Sequence, residues 1–130
     1  MGLSTYIFTA LLSHLFGKAT YTPPAAIFVA LSTTPPTDAG TNVTPPSGNG
    51  YARAETAPAD WNSAAAGDIT NLNAVTFPDA TGPWGTVAYF ALYDAGSGGN
   101  FLGWGTLATP RAIMNLDTPI RFAAGTLEVS

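Results

Sequence analysis

The N-terminal stretch "LSTYIFTALLSHLF" places its polar residues on one narrow stripe. Thr5, Thr9 and Ser13 recur every fourth position, while Ile7, Phe8, Leu11, Leu12, Leu15 and Phe16 fill nearly all the remaining circumference. The spacing predicts a helix over 3–16. Ser4 is placed to cap it, and Gly17 is free to take the left-handed conformation that ends it. A helix apolar on most sides must be covered on more than one side, and a single sheet covers only one. The other side is either a docking face for a second chain or the resting place of a loop of the same chain.

Beyond Gly17 the pattern changes to short apolar runs separated by Pro, Gly and Asn. The run 25–31, fenced by Pro23–Pro24 and Pro35–Pro36, reads as a first strand. A long polar loop or arm follows over 34–50, and lengths of this kind are usually binding loops or reaching arms. The segment 51–56 alternates as a half-exposed strand does. Residues 57–73 carry no readable pattern apart from Trp61. Strands are expected at 74–77, 86–93, 101–107, 120–122 and 126–129. The turn-rich "DAGSGGN" joins two of them into a hairpin, and Pro110 closes that region. Residues 51–130 thus form a β-rich body. The class expected is a mainly β, single-domain chain over 1–130: an antiparallel β-sandwich or jelly-roll-like domain with one N-terminal α-helix.

Composition sharpens this picture at one point. Apolar residues make up 46% of the 130 residues, but charged residues only 9%, against roughly a quarter in an ordinary soluble domain. So few charges suit a chain packed against other subunits, as a homo-oligomer or beside other proteins. The alternative is a monomer solvated by Thr, Ser, Asn and Gly. The net charge is −4, and Lys18, Arg53, Arg111 and Arg121 are scattered, so direct nucleic-acid binding has no electrostatic footing. The N-terminal apolar stretch is too short to span a bilayer, lacks the basic start of a signal peptide, and has Tyr6 where a myristoylation motif wants Ser or Thr. No membrane association is expected.

Candidate chemistry is sparse. No cysteine is present, and the lone histidine, His14, sits on the apolar helix, where a structural role is expected. Asp38, Glu55, Asp60, Asp68, Asp79, Asp94, Asp117 and Glu128 stand singly, and Asp38, Asp79 and Asp94 lie where Asp makes local turn hydrogen bonds. No catalytic residue, metal site or cofactor is expected. Trp61, Trp84 and Trp104 with Tyr51, Tyr89 and Tyr93 leave a sugar-stacking platform open as one reading. Trp84, between Pro83 and Gly85, is the candidate exposed aromatic. The candidate subunit interface is Ile7, Phe8, Leu11, Leu12, Leu15 and Phe16.

Two blocks carry a resemblance. "LSTYIFTALLSHLFGKATYTPPAAIFVALSTTPPTDAG" together with "AVTFPDATGPWGTVAYFALYDAGSGGNFLGWGTL" resembles a family of small tailed-bacteriophage virion proteins, often labelled tail fibre-like. "GYAR" and "FAAGTL" extend the similarity over nearly the whole chain. The resemblance implies a non-enzymatic virion component, assembled in the bacterial cytoplasm, with no cofactor. Two particle roles are compatible with it: capsid decoration, in which copies clamp major capsid subunits, and a tail-associated fibre, collar or attachment module. The compact β domain, apolar helix and arm favour capsid decoration. A carbohydrate-binding module for host attachment is the third reading.

Overall fold

The computed structural model describes residues 2–116 and 118–130; Asp117, one of the eight carboxylates, lies outside them. A two-residue strand β1 (Gly2–Leu3) leads into α1 (Thr5–Leu15), followed by β2 (Ile27–Ser32) and β3 (Ala54–Thr56). A 3₁₀ turn at Pro58–Asp60 precedes β4 (Ile69–Thr70) and β5 (Val75–Phe77). The chain finishes with β6 (Gly85–Tyr93), β7 (Phe101–Ile113), β8 (Ile120–Phe122) and β9 (Glu128–Val129).

All strand pairs are antiparallel. One sheet has the order β1-β7-β6-β2-β3, and two ribbons, β4-β9 and β5-β8, complete the β structure. The molecule is mainly β with one N-terminal helix, as the residue pattern predicts. Alternation divides the large sheet into two faces. Val29, Leu31, Phe90, Leu92 and Leu102 join Val75, Phe77, Ile120, Leu127 and Val129 of the ribbons and their flanks in one buried core. Phe77 and Phe122 meet edge-on there, ring centroids 5.7 Å apart.

Ser32, Ala30 and Phe28 stand opposite Tyr89, Ala91 and Tyr93 on the second face of the sheet. The 34–50 stretch bears on this face, and it does not reach outward as an arm. Thr33 N–H donates to the Thr44 carbonyl at 3.0 Å, and Thr44 N–H to Ser32 Oγ at 2.9 Å. Thr34 Oγ1–H donates to the Asn42 carbonyl at 2.6 Å, and Asn42 Nδ2–H to the Pro35 carbonyl at 2.7 Å. Asn42 holds φ +60° and Gly40 φ +80°, which reverses the chain. The returning tip is then fastened to the body. The Asp38 carbonyl accepts from Thr5 N–H at 2.9 Å, and a Cβ on Gly40 would stand 3.0 Å from Phe101.

The strand expected over 101–107, with Pro110 closing the region, instead runs on to Ile113. Tyr89 pairs with Thr106, but Val87 pairs with Arg111, so Pro110 falls inside an irregular stretch where the ladder requires no donor. The expected first strand begins at Ile27, the first position with a partner, Thr56, on β3.

Candidate assembly surface

α1 is set by local chemistry at both ends. Ser4 Oγ accepts from Ile7 N–H at 3.1 Å, satisfying one orphan amide of the first turn. At the other end Gly17, at φ +69°, donates to the His14 carbonyl, and Lys18 N–H donates to the Ser13 carbonyl at 2.7 Å. This pair of bonds is a Schellman motif. The helix is tied to the sheet edge by Ser4 N–H, which donates to the Leu102 carbonyl at 2.9 Å.

So placed, α1 buries only one of its apolar sides. Ile7 is 6% exposed and belongs to the core. Its inclusion among the interface candidates is therefore corrected: it holds the helix to its own domain. Phe8, Leu12, Leu15 and Phe16 are 54–73% exposed, and Leu11 stands between the two sides at 39%. On a helical projection these five form one continuous ridge beside the Thr5–Thr9–Ser13 stripe. No side chain of another element covers it enough to bury it.

A groove of about 390 Å³ adjoins the ridge at Leu11. Leu3, Ile7 and Leu11 form one wall, Pro23 and Pro24 belong to the opposite one, and Trp61 also lines it. No Lys, Arg, Asp or Glu lines it. The proline pair before β2 thus serves as an apolar groove wall as well as the approach to a strand. His14 positions that wall: its Nδ1 accepts from Tyr21 N–H at 3.2 Å, a structural use of the histidine. Partial burial, with smaller contributions from Tyr6 and Asp94, pushes the Tyr21 hydroxyl pKa up.

The tryptophans do not form a platform. Trp84, the expected exposed aromatic, is 5% exposed. Its Nε1–H donates to the Asn49 carbonyl at 2.8 Å and its ring meets Tyr51 edge-on, so it clamps the end of the long loop from within. Trp61 Nε1–H donates to Thr56 Oγ1 at 2.9 Å, and Trp104 Nε1–H to Asp38 Oδ1 at 3.3 Å. The face of Tyr93 is occupied by the Arg53 guanidinium, 3.6 Å from the ring centroid. Arg53 itself is anchored to the carbonyls of Ala95 and Gly98 at 2.8 Å.

The carboxylates serve turns. Asp94 accepts from Asn100 N–H at 2.7 Å and from its Nδ2–H at 2.8 Å, which lowers its pKa. Asp60 accepts from Ala57 N–H and from Asn73 Nδ2–H, and its pKa is lowered by the same cause. Asp79 accepts from the Thr118 hydroxyl. Among the described residues no group of three or more His, Cys, Asp or Glu is placed to hold a metal ion. Among the described residues no helix is long and apolar enough to cross a membrane.

Asn71 is a residue that sequence reasoning missed. Fully buried, it donates Nδ2–H to the carbonyls of Asn73 and Ala123 and accepts Leu127 N–H on Oδ1 at 3.0 Å. It ties the unread 57–73 region to the C-terminal residues, and no local signal marks it.

The family model for podophage GP4 fiber I protein gp80 matches residues 2–130. The chain belongs to this gp80 fibre family. It is thereby a phage virion structural protein of fibre type, whose place is among other virion proteins. No curated protein matches the chain. Within the gp80 framework the α1 ridge acquires a context: a particle component exposing an uncharged Leu/Phe stripe has a surface suited to burial in an assembly.

Proposed function

We propose that the chain is a non-enzymatic, tail-associated structural component of a phage particle, attached through the exposed ridge of α1. The observation that carries this is the ridge itself, Phe8, Leu11, Leu12, Leu15 and Phe16, unburied on a helix whose other side is fixed in the core. Burying several hundred Å² of such surface at roughly 25 cal/mol/Å² gives on the order of 10 kcal/mol before association costs. Repetition around a symmetric particle makes even a modest contact hold.

Capsid decoration ranks second for two reasons. The family is described as a fibre protein. The arm that clamping a neighbour would use is a loop tied back onto its own sheet. Host-glycan binding has lost its leading residue with the burial of Trp84. Imaging particles assembled with and without the chain tests the location. Density lost at the tail agrees with the proposal, and density lost across the capsid lattice overturns it.

A further inference from the structure

We infer that a second copy of this chain covers the α1 ridge and the adjoining groove, an inference that rests on reading α1 as the docking surface. Three observations support a second copy as the occupant. First, ridge and groove share an edge at Leu11, which belongs to the ridge and also lines the groove. A protruding strip beside a complementary recess is what a surface needs to cover itself, because one contact then seats each copy's ridge against the other's groove.

Second, the two surfaces match in charge. Helix residues 5–15 carry no Lys, Arg, Asp or Glu, and neither does the groove lining. A partner selected by charge would find nothing to pair with here, whereas an identical apolar surface leaves no ion stranded on either side.

Third, the area is adequate. Phe8, Leu11, Leu12, Leu15 and Phe16 are 39–73% exposed. At roughly 200 Å² for a fully exposed side chain of this size, the five offer on the order of 600 Å². The groove walls bring the surface toward the roughly 800 Å² per partner of a standard interface.

Sedimentation velocity on the full chain over a wide concentration range tests this. The wild type should self-associate. Leu15→Glu on the ridge and Ala25→Arg on the groove wall should each weaken association at least tenfold, since both positions are exposed and neither substitution disturbs the core. Circular dichroism and thermal melting, unchanged from wild type, confirm that each variant folds. A wild type that stays monomeric overturns the inference, as does association that survives either substitution. Particle incorporation separates this failure from that of the function proposed above. If a monomeric wild type enters particles and Leu15→Glu does not, the ridge docks on a different virion protein and the second copy is refuted. If association is lost but incorporation persists, the pairing stands and the attachment role falls.

Discussion

Ile7 and Phe8 are neighbours in sequence on α1 and project about 100° apart around its axis: Ile7 lies in the core at 6% exposure, Phe8 on the surface at 55%. The pair separates folding from assembly at one point on the helix. Ile7→Ala removes buried methyls and should cost about 2–4 kcal/mol, lowering the melting temperature by roughly 10 °C. Phe8→Ser should leave stability within about 0.5 kcal/mol, as surface changes do. Thermal melting of the two variants checks this, and equal losses would contradict the assigned faces.

The Trp84 indole fastens residues far apart in sequence through its bond to the Asn49 carbonyl. Trp84→Phe keeps much of the packing against Tyr51 but removes one of the two donors to that carbonyl, which still accepts from Thr81 N–H. A loss of about 1 kcal/mol is expected. Denaturant unfolding at constant m-value reads it, and glycan affinity should not respond to the change.

Asn71 makes three side-chain hydrogen bonds from a fully buried position. Asn71→Ala should cost about 1–3 kcal/mol, because Leu127 N–H loses its acceptor inside the protein. Hydrogen exchange should show the Leu127 amide losing protection. An unaffected Leu127 amide would mean that the side chain does not hold this junction.

Tyr51 contributes to the alkaline limit together with Tyr21 and Tyr93, whose pKa values burial also raises. Burial pushes the Tyr51 pKa above the ordinary 10.0, against smaller lowering contributions from the Leu31 backbone hydrogen bond and Arg53. The unfolded chain ionises near the ordinary value, so the stabilisation is complete below about pH 10. It is lost as pH rises through the higher folded value. Stability measured against pH should therefore decline above about pH 10, and Tyr51→Phe should flatten that decline while lowering stability overall. A variant whose decline matches the wild type would place the alkaline limit elsewhere.

How much of this was readable before the structure depends on the range of the chemistry involved. The caps of α1 were legible because Ser4 and Gly17 act within one turn of themselves. The β6–β7 hairpin was legible because turn residues and alternation are local too. The extension of β7 past Pro110 was not, since the irregularity that admits the proline is defined by pairing with β6. Pro83 and Gly85 mark a turn around Trp84 but say nothing of where its indole points, and its partner Asn49 is 35 residues away. The apolar circumference of α1 announced two covered sides. Only the packing of Ile7 against the core shows which side remains open.

The most direct measurement is the incorporation of a Leu11→Glu, Leu15→Glu double variant into particles assembled in its presence. Leu15 is 73% exposed and Leu11 39%, so the variant should fold. Normal circular dichroism with absence from purified particles is the predicted result. A folded variant incorporated at wild-type levels would contradict attachment through α1.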